Sequence, residues 1–224
     1  QFTLSNFTGF FTDPNAMGTL FYSFAVAVVT TLVCLLLAYP IACILAFSKL
    51  KAKSALVMIF VLPMWINFSL RITALKEILT VFEGNLAMYP FFNAVVGMTY
   101  DFLPFMILPI YTTVSRLDGA LREAAMDLGA NEAQTFLRVT LPLSVPGIMS
   151  GISMVFLPAM TNYVVLDMLY NSTYIMGSLI GSYFSAYNWN GGSMIALILL
   201  GIICLFTLLT DGGDESTSRG GALL

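Results

Sequence analysis

Five stretches of this 224-residue chain are apolar over a length that can cross a bilayer, and they limit its folds more than any other feature. A helix needs roughly 20 apolar residues to cross about 30 Å of hydrocarbon. The stretches lie at about 20–47, 55–75, 91–114, 143–166 and 193–210. In hydrocarbon the backbone has no water to bond to, so runs of this length cross as helices. Composition agrees: 58% of residues are hydrophobic and 9% are charged, against about a quarter charged in a typical soluble domain. The expected fold is an all-α polytopic membrane bundle of about five spans. Pro40, Pro63, Pro104, Pro109, Pro146 and Pro158 fall inside the runs. Spanning helices accept proline where neighbours satisfy the freed carbonyls, so kinks are expected rather than extra spans.

Basic residues set the orientation. Lys49, Lys51 and Lys53 follow the first span, Arg116, Arg122 and Arg138 follow the third, and Arg219 follows the fifth. That places seven of nine basic residues on one side, the expected cytoplasmic side. The expected organisation is an extracytoplasmic segment over 1–19, one transmembrane domain over 20–210 and a polar cytoplasmic tail over 211–224. An exported N-terminus without a signal-peptide pattern leads us to expect a further span upstream of Gln1. Arg71, near the outer end of the second span, is expected to snorkel to the interface.

Several classes of chemistry have little support. The chain has no histidine, and Cys34, Cys43 and Cys204 all sit in apolar runs with no CxxC. Neither a metal site nor a catalytic thiol is expected. There is no glycine-rich phosphate loop of the Walker type, so no nucleotide cofactor is expected to bind directly. A basic nucleic-acid-binding patch is likewise lacking.

Residues 115–142 interrupt the apolar sequence with polar, helix-prone sequence. Ser115 to Asp118 fits a capping box at a helix start. Leu117, Leu121, Ala124, Ala125 and Leu128 recur at three- and four-residue steps, one apolar stripe. Gly129 suits the left-handed position that ends a helix. Asn131, with Gln134 three residues on, caps a second short helix, to which Phe136 and Leu137 give an apolar edge. Pro142 is expected to close the segment before the fourth span. The prediction is two short helices joined by a glycine turn at the membrane surface. The segment carries Asp118, Glu123, Asp127 and Glu132 against three arginines, so docking on a partner protein is favoured over lying on anionic lipid.

Glu123-Ala124-Ala125, then three residues, Gly129, nine residues, and Val139-Thr-Leu141-Pro142 resembles the EAA loop of ATP-binding-cassette (ABC) importer permeases. The likeness extends to Met98–Tyr111, Leu157–Met160 and Trp65–Arg71, which are similar to the permeases of spermidine/putrescine importers, the B-type subunit more than the C-type. It covers roughly residues 18–210. The resemblance implies a non-enzymatic subunit in a bacterial inner membrane with six spans. It implies a second permease, a dimer of ABC ATPases that supplies ATP and magnesium chemistry, and an extracytoplasmic substrate-binding protein. It also implies that Glu123, Ala124, Ala125, Asp127, Leu128 and Gly129, with Leu141 and Pro142, form the surface that couples to the ATPase. The family's first span has no counterpart in this sequence, and the tail from Asp211 differs from the family's basic ending.

A polyamine is a multivalent cation and needs carboxylates, carbonyls or aromatic faces along its path. Asp101, about 10 residues into the third span beside Tyr100, is the main candidate, because an ionisable residue at that depth is functional by default. The competing expectation is an Asp101 that pairs with a neighbouring helix or caps a break near Pro104. Trp65, Asn67, Tyr163 and Asp167, with Asn162 and Tyr170, are further candidates, set against a simple interfacial belt. Gly147 and Gly151 are spaced for close helix packing. Asn6-Phe-Thr8, Asn67-Phe-Ser69 and Asn171-Ser-Thr173 match a glycosylation tripeptide too short to carry weight. Two other readings stay open at this point: a self-contained ion-coupled carrier or channel built on Asp101 and Arg71, and an ABC permease for another small solute.

Overall fold

A computed structural model describes residues 10–48, 53–170 and 175–211. The tripeptides at residues 6 and 171, the lysines at 49 and 51 and the tail beyond 211 lie outside the described residues. The protein is helical throughout the described parts, with no strands among them. Helix α1 covers Pro14–Phe47 and α2 covers Lys53–Val61. Then follow α3, Phe68–Glu83, and α4, Pro90–Ser115. The polar segment forms α5, Gly119–Asp127, and α6, Glu132–Thr135. Helix α7 is Leu141–Thr161, α8 Tyr163–Tyr170, α9 Met176–Ser185 and α10 Trp189–Asp211.

Among the described residues four helices are long and apolar enough to cross a bilayer: Pro14–Phe47, Pro90–Ser115, Glu132–Thr161 and Trp189–Leu208. The fifth expected span is not one helix. Residues 55–65 and 68–83 are bent 95° to each other. The cause is local. Pro63 opens a tight turn over Leu62–Trp65, because it lacks an N–H and its ring crowds the preceding turn. Ile66 is extended, and the Asn67 side chain then accepts the Ser69 N–H at 2.9 Å and starts α3. The Asn67-Phe-Ser69 tripeptide is thus a helix cap.

Helices α1, α4 and α7 form the heart of the bundle. Helix α1 begins with Asp13 capping Asn15 and Pro14 in the first turn, a favourable start for a helix. It runs parallel to α4: Tyr22 meets Phe91 near one end, and the Cys34 thiol lies 3.9 Å from the Thr99 carbonyl further along. Helix α7 runs the other way, with Phe24 against Phe156 and Tyr39 against Ser144. Some buried hydroxyls return to their own helix, as Thr31 does to the Ala27 carbonyl at 2.7 Å, which spares the polar group from unpaired burial, whereas Thr30 and Thr99 Oγ1 have no partner among the described residues. Met98, Met106 and Met160 are fully buried and fill gaps, whereas Met58 and Met154 are exposed.

The seam between α4 and α7 is made by the absence of side chains. A Cβ on Gly147 would lie 2.5 Å from Thr113 Oγ1 and 2.8 Å from the Pro109 carbonyl. One on Gly151 would lie 2.6 Å from the Met106 sulfur. The small-residue spacing therefore does allow close packing.

The fourth span also differs from expectation. It ends at Thr161 rather than 166, and Asn162 accepts the Val164 N–H to begin α8. Residues 167–192, between the fourth and fifth apolar stretches, contain the second half of α8 and all of α9. Val165, Leu166 and Leu169 of α8 are buried, and Val165 and Leu169 press on Gly97 of α4. These helices are too short to register as spans but are built into the bundle.

Gly147→Val is expected to destabilise the protein by about 1–3 kcal/mol, the usual cost of overpacking, read as a lowered Tm in detergent. Val at the exposed neighbour Ser150 should leave Tm unchanged.

Candidate functional site

The polar segment is a projection with two unlike sides. Helix α5 starts at Asp118, whose side chain accepts the Ala120 N–H at 3.0 Å. Ser115 instead ends α4, so the expected capping box at Ser115 is a single Asp cap. Gly129 sits at φ +87°, the left-handed conformation that glycine adopts without strain. The box at Asn131 forms as expected: Asn131 accepts the Gln134 N–H at 2.8 Å, and Gln134 Oε1 accepts the Asn131 N–H at 3.1 Å.

Pro142 does not close the segment. Residues 132–161 form one continuous helical element, with a wide π-type turn over Phe136–Thr140. In that turn the Leu141 N–H bonds to the Phe136 carbonyl. The widened turn carries the helix past Pro142, which has no N–H and crowds the carbonyl four residues back. The second short helix is therefore the polar beginning of the fourth span. Such turns occur mainly as single insertions and often at functional positions.

On the outer side of the projection, Glu123, Ala124, Asp127 and Gly129 are exposed, and Leu128 is 90% exposed. A cleft of about 310 Å³ opens beside them, lined by Ala125, Leu128, Gly129, Arg138 and Val139. Leu141 is half-buried and Pro142 exposed. The inner side grips α1. The Arg122 guanidinium lies 4.2 Å from the Phe47 ring centroid, within cation–π range. Phe136 meets Tyr39 edge to face at 5.6 Å. The Tyr39 hydroxyl lies 2.8 Å from Ser144 Oγ. Ser144 spends its single proton on the Leu141 carbonyl, so Tyr39 donates. Tyr39, Phe47 and Ser144 had no signal of their own in the sequence, where aromatic and small residues in apolar runs look like lipid contacts, and Phe136 was expected only as an apolar edge.

Inside the bundle, Asp101 is buried and bonded to Arg71. Arg71 Nη2 donates to Asp101 Oδ1 at 2.7 Å, with side chains 9% and 7% exposed. Arg71 therefore does not snorkel. It lies on α3 past the 95° bend, which turns it toward α4 instead of the interface. Asp101 thus pairs with a neighbouring helix, as one expectation had it. The pair is single-armed: Arg71 Nε has no partner among the described residues. A second polar tie lies near the other end of α3, where Asn93 donates to Glu83 at 2.9 Å. Tyr100 lines an apolar crevice of about 560 Å³ between α1, α3 and α4, with Val29, Leu75, Phe92 and Val96.

The other path candidates are not gathered around Asp101. Trp65 is 82% exposed in the bend, and Asn67 is used as a cap. Tyr163 and Asp167 are exposed on α8. No side-chain hydrogen bond joins any of these four to Tyr100 or Asp101 among the described residues.

A helical membrane bundle with a broken span, a buried ion pair and an exposed helical projection at its basic end has the parts of a transporter's membrane subunit. Residues 17–214 match the family described as "Binding-protein-dependent transport system inner membrane component", and the chain belongs to that family. It is a multi-pass inner-membrane transport component. Over 225 residues it is 34% identical to the spermidine/putrescine transport system permease protein PotB of Escherichia coli K12, covering 93% of this chain and 81% of that one. Over 233 residues it is 35% identical to PotB of Haemophilus influenzae, covering 97% and 81%. A PotB homolog of Mycoplasma genitalium is 30% identical over 203 residues, covering 87% and 63%.

Removing one member of the buried pair leaves the other charged and alone, a loss of about 3–5 kcal/mol, while an apolar replacement of both is close to neutral. Arg71→Met is therefore expected to lower Tm strongly in detergent, and Arg71→Met/Asp101→Leu is expected to restore most of it. A double variant as unstable as the single one would show that the pair is not the reason.

Proposed function

We propose that this chain is one of two permease subunits of an ABC importer for a polyamine, spermidine or putrescine. ATP, with its magnesium, is hydrolysed by a partner ATPase dimer, and solute is delivered by an extracytoplasmic binding protein. The observation that carries the reading is the two-sided projection. Its outer side presents Glu123, Ala124, Asp127 and Leu128 with nothing from the described residues over them, beside a cleft that a partner could fill. Small Ala124 and Ala125 admit close approach of a groove. The glycine turn and the Asn131 box fix the shape of this surface before it docks, which lowers the ordering cost of binding.

In this reading ATPase closure moves Glu123–Gly129, and the motion enters the membrane through Leu141, Pro142 and α7. The path is exposed alternately to the two sides. Asp101, Tyr100, Trp65, Asn67, Tyr163 and Asp167 supply carboxylates, amides and aromatic faces for a cationic solute. For Asp101 to meet a substrate ammonium, the Arg71 guanidinium must first leave it. The single-armed geometry makes that exchange less costly than release of a bidentate pair would be.

The test uses the full complex. Glu123→Ala/Gly129→Asp should lose co-purifying ATPase and the ATP hydrolysis that goes with it, by tenfold or more. Proteoliposomes of the unaltered complex should take up labelled spermidine with ATP and not with an ion gradient alone. Uptake on a gradient without ATPase would replace this reading with a self-contained carrier.

A further inference from the structure

We propose that the inner end of α1, residues 39–47, moves with the coupling segment as one body and that α1 yields in the turn just above it, where Pro40 leaves the Leu36 carbonyl without its helix bond. Tyr39 and Phe47 are then positioning residues for coupling. The inference rests on the coupling reading above and concerns where the motion goes next.

Three contacts carry it, and none of them uses Glu123 or Leu128. Arg122 of α5 lies over the Phe47 ring at 4.2 Å. Phe136 lies against Tyr39 at 5.6 Å. Ser144 holds the Tyr39 hydroxyl at 2.8 Å. Phe136 opens the wide turn and Ser144 lies just beyond it, so Tyr39 touches both flanks. A shift that changes the length or twist of that turn cannot leave Tyr39 where it is. The α5 end of the segment is held to the same stretch of α1 through Phe47, two turns further on.

The stretch has a yielding point at its upper edge. Pro40 lies inside α1 and cannot donate to the Leu36 carbonyl, so the helix ladder lacks one bond there. Above that turn Thr30 and Cys34 are buried in the bundle core, and below it Ala42 and Ala46 are buried as well, so what sets the lower stretch apart is its contacts with Arg122, Phe136 and Ser144. A helix fixed above that turn and gripped below it bends in the turn when the grip moves.

The test is made on the complete transporter with its ATPase, partner permease and binding protein. Spin labels at exposed Ile44 and Leu137 report the distance between the inner end of α1 and the coupling segment. In the parent protein that distance should be the same in the resting and vanadate-trapped states. In Tyr39→Phe/Phe47→Leu it should shift or broaden on trapping. The same variant should keep its bound ATPase and its basal ATP hydrolysis within about twofold. Labelled spermidine carried per ATP should fall several-fold. Phe47→Tyr keeps the ring and should keep coupling. Tyr39→Phe and Ser144→Ala break the same bond, so together they should cost no more than either alone.

The proposal is overturned if the Ile44–Leu137 distance changes in the parent protein on trapping. It is also overturned if the double variant leaves both the distance and the spermidine-to-ATP ratio unchanged. Glu123→Ala, run alongside, separates the two levels. If it keeps the ATPase bound, the coupling reading fails and this inference fails with it. If it loses the ATPase while the Tyr39 and Phe47 variants couple normally, only this inference fails.

Discussion

Arg71 and Asp101 meet at 2.7 Å inside a helical bundle, with the guanidinium bound on one side only. Either charge alone at that depth would be costly, about 2.5–3.5 kcal/mol even on insertion-based scales. The architecture of the second span follows from the need to join them. A straight helix through residues 55–75 would carry Arg71 toward the interface. The bend at Pro63 to Asn67 instead lays α3 beside α4, tied to it by Arg71–Asp101 and by Glu83–Asn93. The apolar crevice lined by Leu75, Phe92 and Val96 lies between those helices and α1. The helix is thus held at two polar points as well as by the buried Ile72, and the polar points can exchange partners.

At the basic end the problem is reversed. Water is available, and stiffness rather than satisfaction is in short supply. Three local devices supply it: the Asp118 cap, the left-handed Gly129 and the reciprocal Asn131–Gln134 box. The one wide turn, at Phe136–Thr140, is placed where the rigid projection joins the membrane helix. Rigidity on one side of that turn and a packed span on the other concentrate any displacement within five residues.

These features differ in how plainly the sequence announces them. Long apolar runs, Gly129 and the Asn131 box depend on residues close in the chain, and each is found where local chemistry puts it. The break in the second span had its signals too, Pro63 and the Asn67-x-Ser69 cap, but a continuous apolar run outweighed them. The pairing of Arg71 with Asp101 spans 30 residues and depends on the bend; the sequence set the two together only in the carrier reading, while a straight second span put Arg71 at the interface. The grip of Tyr39 and Phe47 was least legible, since aromatic residues in an apolar helix fit a lipid contact equally well. Helices α8 and α9 escaped notice because their apolar faces are shorter than a bilayer is thick.

The glycines of α7 have a mechanical consequence. Interlocking side chains act as detents: for one helix to slip along another, each must leave its hole and change rotamer. Where Gly147 and Gly151 face α4, the Thr113 and Met106 side chains and the Pro109 carbonyl lie against bare backbone, so side chains belong to one partner only. Sliding of about 1–2 Å, the usual scale of shear between packed helices, needs little repacking there. This close contact is therefore also a smooth bearing, and tightness and ease of motion along the seam have the same origin.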